Sequence, residues 1–425
     1  MHVAFITAGG AGMFCGSCMH DNTWAHALHA HGAEVSLIPT YTPIRVDEQD
    51  LSTSQVFFGG INVFMDFRSR LWRRIPRMFT RWLDWPAVIR LATRFGVSND
   101  AHQLGALTVA MLEGELGPES REVEELAEYL AHLKPDVVCF SNALLAGVVR
   151  RLREQYQGRI YCILQGDDIF LEDLPETYRE QAIEKIRERA VDFDGFLVHS
   201  EYYREFMANY LHLPRDRMHC VPLGIELAGH DGLPEATGNE HFTIGYFARI
   251  CPEKGLHNLI DAFRILHAKY PAIRLRAGGY LGSRDEAYFK QTLASASDLS
   301  DAFEYIGSPE TRAEKIAFLN TLDVLSVPTT YHEPKGLYVL ESLANGVPVV
   351  QPRHGAFPEL IEATKGGLLF EPNDAAGLAE RLEALMLDPD HRLELGRRGR
   401  ENVRSLYDQG RMAEVTLGIF ASGLS

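Results

Sequence analysis

The sequence is short of the features that tie a chain to a membrane, to nucleic acid or to an oxidising compartment. Its longest apolar runs, such as Val137–Phe140 and residues 347–350, fall far short of the roughly 20 residues that span a bilayer. Basic residues are the minority: Lys and Arg number 42 against 58 Asp and Glu, a formal net charge of −16. That balance argues against a general nucleic-acid binder, which would need a basic face. Cysteine is scarce, six in 425 residues, and four of them (Cys139, Cys162, Cys220 and Cys251) fall in or beside predicted core strands. Reduced thiols and a cytoplasmic setting are therefore expected. Residues 1–10 have neither the basic start nor the long apolar core of a leader peptide. Repeats and low-complexity tracts are absent as well.

What is present is an ordinary globular composition, 46% hydrophobic and 24% charged, at a length that suits two domains of roughly 200 residues. Residues 3–7 read as a buried strand. The glycine loop Ala8-Gly9-Gly10-Ala11-Gly12, a helix over 20–31 and a second strand over 32–38 follow. This is the opening of a Rossmann-like domain, whose glycines let backbone N–H groups approach a phosphate. A dinucleotide site fits poorly, because the loop is not G-x-G-x-x-G and the acids Asp47 and Glu48 come after a loop. Cys15 and Cys18 form a C-x-x-C pair, a spacing shared by redox motifs and half zinc sites. No second pair exists and His20 is the near candidate ligand, so a structural or acceptor-shaping role is expected.

Residues 66–95 are unusual. Arg68, Arg70, Arg73, Arg74, Arg77, Arg81, Arg90 and Arg94 are interleaved with Trp72, Trp82 and Trp85, opposed by Asp66 and Asp84. One reading is weak peripheral contact with an anionic membrane face, on the cytoplasmic side. The other is a helical hairpin with its aromatics packed inward and its arginines solvated or paired to glutamates of 113–128. Those glutamates read as the polar face of one helix. Core strands follow at 134–140, 160–164 and 190–200. Gln165, Asp167 and Asp168 stand at a strand end, where α/β sheets place ligands. The first domain is expected over 1–228, with 229–240, rich in Gly, Pro and acid, as linker.

The second domain is expected over 241–407. It opens with a strand at 242–249 and a helix at 256–268, with Lys254-Gly255 between. An arginine at a strand end and a lysine at a helix start, Arg249 and Lys254, can clamp a diphosphate from two directions. Each is expected to be replaceable without disturbing the fold. Further on, Glu333 precedes a helix read as starting at Pro334, which suits a first turn. Leu337, Leu340 and Leu343 recur at helical spacing, and Asn345-Gly346 ends the helix. Glu341 then lies about two turns in, and the helix mouth is an anion site beside Glu333. Residues 392–424 read as helical.

Glu333-x7-Glu341, followed by Ala344-Asn-Gly-Val-Pro-Val-Val and by Gly355-Ala-Phe-Pro-Glu-Leu-Ile, resembles the signature of retaining glycosyltransferases of family 4. Arg249-x4-Lys254-Gly255 resembles that family's phosphate-binding element. The resemblance implies the α/β fold called GT-B, two Rossmann-like, doubly wound domains facing a cleft, with a last helix (about 408–425) crossing back to the first. It implies a nucleoside-diphosphate sugar donor held by Arg249, Lys254, Glu333, Gly336, Leu337 and Glu341, with Glu341 on the ribose and Glu333 on the sugar. Gly10 and Gly12 would lie along the donor diphosphate and the acceptor, and Gln165, Asp167 and Asp168 on the acceptor and sugar side. The acceptor would be a small molecule, a glycan or a lipid. No metal is expected where protein cations meet the diphosphate, and nothing points to a nucleic-acid partner. Gln165 stands where many members carry histidine, and Lys335 where an aromatic or aliphatic residue is common. A catalytically weak sugar-nucleotide binder and a GT-B epimerase therefore remain as alternatives.

Overall fold

The structure is a computed structural model that describes residues 1–9, 16–53, 56–58, 65, 101–232, 241–299 and 301–424. Gly10, Gly12, Cys15 and the arginine-rich residues 68–94 lie outside the described residues. The chain forms two units, Met1–Pro222 with Met412–Ser425, and Leu223–Arg411. The sequence reading had put these divisions at 228 and about 408.

The first unit holds a six-stranded sheet of β1 (His2–Thr7), β2 (Glu34–Pro39), β3 (Val137–Phe140), β4 (Arg159–Ile163), β5 (Gly195–Val198) and β6 (Met218–Cys220). Its order is β2-β1-β3-β4-β5-β6, and every pairing is parallel. Alternate residues enter two separate cores, as a strand's period of two requires. Ala4, Ile6, Val138, Phe140, Ile160 and Cys162 face one. Val3, Phe5, Val137, Cys139, Tyr161 and Ile163 face the other. Both faces are covered, which is why these strands read as unbroken apolar runs. The terminal helix Gln409–Leu424 contributes Met412, Ala413 and Phe420 to the second of these cores. The Trp24 indole N–H bonds Thr416 Oγ1 from it at 2.9 Å.

The second unit repeats the plan with β7 (Thr243–Phe247), β8 (Arg274–Gly278), β9 (Phe303–Tyr305), β10 (Val324–Leu325), β11 (Val349–Pro352) and β12 (Gly367–Phe370). Its order, β12-β11-β10-β7-β8-β9, is all parallel. Counted from its own first strand this is 3-2-1-4-5-6, the order of dinucleotide-binding sheets, with a topological switch point between β7 and β10. These are the two doubly wound Rossmann-like sheets of a GT-B chain.

Several local expectations need correction. Residues 392–424, read as helical, form two helices, Pro389–Leu406 and Gln409–Leu424, the second close to the expected last helix at about 408–425. The break at Tyr407-Asp408 exists because the backbone there pairs with Ile225: Ile225 N–H donates to Tyr407 O at 3.0 Å and Gln409 N–H to Ile225 O at 3.1 Å. The glutamates of 113–128 are not one solvated face. Glu119 and Glu122 are buried, and Glu115 takes a 3.0 Å ion pair from the buried Arg189. The helix read from Pro334 starts instead at Leu337, with Gly336 as its N-cap at φ 77°. A left-handed residue cannot lie inside a right-handed helix, so Pro334 stays in the loop. Glu341 is thus about one turn in, not two.

Candidate active site

The second unit's switch point gathers most of the residues singled out above. β7 ends at Phe247, and Arg249 follows with its side chain 43% exposed. A single turn, Pro252–Lys254, then presents Lys254, and Gly255 caps the helix Leu256–Lys269. Gly255 has φ 70°, and a Cβ there would lie 1.9 Å from Pro328 O. Only glycine lets the loop after β7 lie so close against the loop after β10. Thr330 N–H donates to Glu253 O at 2.9 Å across the same contact. Gly355 does the equivalent from the loop after β11, since a Cβ would meet Glu333 N and O at 2.6 Å. Three strand-end loops are thereby packed around Glu333.

Glu333 is 4% exposed. Its Oε2 accepts hydrogen bonds from Lys254 Nζ at 2.5 Å, Tyr331 OH at 2.8 Å and Tyr338 OH at 3.0 Å. Among the described residues its Oε1 accepts only long ones, from the N–H groups of Lys335 (3.4 Å) and Gly336 (3.3 Å). Lys254 Nζ also donates to Tyr331 OH at 2.6 Å and lies 5.0 and 5.1 Å from the ring centroids of Tyr331 and Tyr338. Burial raises the carboxyl's pKa, but the Lys254 charge and the three donors outweigh it and hold the pKa at about 2. Burial pushes both phenols well above their ordinary value, so they remain donors. The amides ahead of the helix mouth, expected to meet a ligand anion, are thus engaged by Glu333 itself.

Arg249 Nε contacts Cys251 Sγ at 3.3 Å, and its guanidinium is 3.9 Å from Glu253. Glu341, on the helix Leu337–Ala344, pairs with Lys315 Nζ at 2.8 Å. His354 Nε2 is 3.0 Å from Thr329 O, and its ring lies 5.2 Å from that of His332. Sequence reasoning missed Tyr331, Tyr338, Lys315 and His354. Only Tyr338, five residues past Glu333 and across the helix start, carried a local signal.

The first unit's switch point, between β1 and β3, is furnished differently. Gln165 is buried, and its Nε2 donates to Asp21 Oδ1 at 2.9 Å and to Ser141 O at 3.0 Å. Asp21 Oδ2 accepts from Thr7 Oγ1 at 2.7 Å. Both amide protons of Gln165 are therefore engaged by protein acceptors. Asp167 accepts the N–H groups of Ala143 (2.6 Å) and Gln165 (3.0 Å). Burial, the largest influence, lifts its pKa to about 6. Asp168 accepts Tyr203 OH at 2.5 Å, and Tyr203 in turn accepts the N–H of Gly166 at 2.8 Å. The two aspartates order the loops after β3 and β4. Cys18 is buried in the apolar core with Phe5 and Trp24. Among the described residues no group of three or more His, Cys, Asp or Glu could hold a metal ion, and no helix is long and apolar enough to cross a membrane.

The chain is similar to the putative colanic acid biosynthesis glycosyltransferase WcaL of Escherichia coli, 29% identical over 287 residues, covering 66% of this chain and 67% of WcaL. It is also similar to the D-inositol 3-phosphate glycosyltransferase of Corynebacterium efficiens, 27% identical, covering 58% and 63%. In fold it resembles sucrose-phosphate synthase from Thermosynechococcus elongatus, with a TM-score of 0.72 at 19% identity, covering 100% and 99%. HepE of Anabaena, solved with UDP, gives 0.69 at 16%, covering 99% and 100%. Residues 234–402 match the family described as glycosyl transferases group 1. That match lies within the second unit and takes in Arg249, Lys254, Glu333 and Glu341.

Proposed function

We propose that the protein is a retaining glycosyltransferase that moves a sugar from a nucleoside-diphosphate donor to an acceptor hydroxyl. The observation that carries this reading is the buried Lys254–Glu333 pair on the loops after β7 and β10, with Arg249 just past the end of β7 and Glu341 about one turn into the helix that follows Glu333. Breaking the glycosidic bond builds negative charge on the departing diphosphate, and fixed cations aimed at that charge lower the barrier. Arg249, half exposed and only loosely paired to Glu253 at 3.9 Å, is one of them. Lys254 is the other, and it is held in place by Glu333 and Tyr331 until the diphosphate competes for its protons.

Glu333 is not a general base in this reading. An ionised carboxylate with a pKa of about 2 is too weak a base to take a hydroxyl proton at neutral pH. Its Oε1, bound only by two long amide contacts, accepts a hydroxyl of the transferred sugar and orients it. Glu341 accepts the ribose hydroxyls, and the Leu337 end of its helix adds its positive dipole. The two cations take the place of a metal. The acceptor, a small molecule, glycan or lipid, belongs to the first unit by resemblance to the family.

A panel of UDP, GDP and ADP sugars tests the reading, with released nucleoside diphosphate measured and the first-formed product read by NMR. Release together with transfer and the donor's anomeric configuration is expected. Product of the opposite anomer would refute retention. Release of free sugar alone, with every acceptor offered, would refute transfer.

A further inference from the structure

We infer that Lys315 is a positioning residue for the donor's ribose, acting through Glu341; the inference rests on the donor-site reading above. Lys315 lies on the short helix Arg312–Leu319, whose start is fixed by a capping box between Thr311 and Glu314. It belongs to the buried face with Ile316, Phe318 and Leu319, and its side chain is 9% exposed. An apolar residue would serve that face better, because a buried ammonium is costly unless it is paired. Among the described residues it pairs with Glu341 Oε1 at 2.8 Å, across to the helix that carries the site.

Glu341 is otherwise held by its backbone. Asn345 Nδ2 donates to Glu341 O at 2.9 Å and is itself 2.8 Å from Nδ1 of the buried His230. The helix is thus immobilised, and the remaining freedom of Glu341 is in its side-chain torsions. Lys315 removes that freedom by clamping one oxygen. The other, Oε2, makes no hydrogen bond among the described residues, and the side chain keeps 17% of its surface exposed. One oxygen clamped and the other presented is a preorganised acceptor for a vicinal diol. A carboxylate neutralised by a buried lysine also adds little repulsion towards a diphosphate nearby.

The readout is discrimination for the ribose, which a purely structural pair would not control. Binding of UDP, GDP and ADP is compared with that of their 2′,3′-dideoxy counterparts by calorimetry. Wild type is expected to favour the ribose form of the nucleotide it binds by about tenfold or more, as for a hydrogen bond to a charged group. Lys315→Gln should cut that ratio to about threefold or less, chiefly by weakening the ribose form. Glu341→Gln should do the same, and combining the two should add no further loss, because both act through one contact. Lys315→Met, which leaves no buried polar end, gives the same readout should glutamine loosen the helix pair.

A variant that weakens both nucleotide forms equally, with the ratio unchanged, would overturn the inference. So would a wild type that binds the ribose and dideoxy forms alike. Wild type that binds none of the nucleoside diphosphates would instead refute the donor-site reading, and this inference with it.

Discussion

Replacing Lys254 with methionine removes the ammonium 2.5 Å from Glu333 Oε2 while keeping most of the apolar stem. What remains around the carboxylate is two phenol hydroxyls and two long amide contacts, in a pocket where Glu333 is 4% exposed. Breaking a buried pair by deleting one partner costs about 3–5 kcal/mol. The two tyrosines soften this, so a loss of about 2–4 kcal/mol in the second unit is expected at pH 7. The sequence reading, which has Lys254 replaceable without harm to the fold, does not survive this burial.

The same pair leaves a signature in pH. Glu333 is lowered from 4.5 to about 2 in the folded chain. Between those values the unfolded chain binds more protons, so stability rises with pH through the window. The contribution, about 3 kcal/mol for such a shift, is complete above the unfolded value and lost as pH falls towards 2. Urea midpoints between pH 2.5 and 7 for wild type, Lys254→Met, Glu333→Gln and the double variant measure both quantities. The single lysine variant should flatten the acid limb, and the double variant should recover much of the stability. A Lys254→Met chain within about 0.5 kcal/mol of wild type, with its acid limb unchanged, would show that the pair is not formed.

Arg249→Ala should leave the unfolding midpoint nearly unchanged, because the side chain is half exposed, yet weaken nucleoside diphosphate binding by about 1.5–3 kcal/mol in calorimetry. Transfer measured after exhaustive chelation with EDTA should proceed at an unchanged rate if Arg249 and Lys254 carry the leaving-group charge. Asp167, raised from 3.8 to about 6, has the opposite sign to Glu333. The unfolded chain is the more ionised between those values, so its contribution falls as pH rises through them, and Asp167→Asn should flatten that part of the first unit's stability curve.

The elements that sequence made legible are those whose signal is local. The buried strands β1, β3, β4 and β7 read directly, because both sheet faces are covered and their residues are apolar throughout. Glu333, Glu341, Arg249 and Lys254 stood out through short spacings to glycine and proline. The Lys315–Glu341 pair spans 26 positions, and no periodicity links residues on two separate helices. Pro334 misled because proline favours a helix start, while the left-handed Gly336 decided where the helix begins. The helical pattern over 392–424 carries no local mark of the break at Tyr407-Asp408. Its interruption comes from a backbone partner, Ile225, far away in the chain. Glu119 and Glu122 defeated the rule that carboxylates face water.

The helix Gln409–Leu424 has a consequence for the order in which the protein can be made. Its residues Met412, Ala413 and Phe420 complete an apolar cluster begun by Val3, Phe5 and Trp24, and Thr416 satisfies the indole of Trp24. During synthesis from the N-terminus, that cluster stays uncovered while the whole of the second unit, Leu223–Arg411, emerges and folds as a continuous insert. The first unit is thus the earlier to be translated and the later to be finished. Its core stays open through that interval, and a chain stopped short of Met412 would keep an intact second unit tethered to one that cannot close its core.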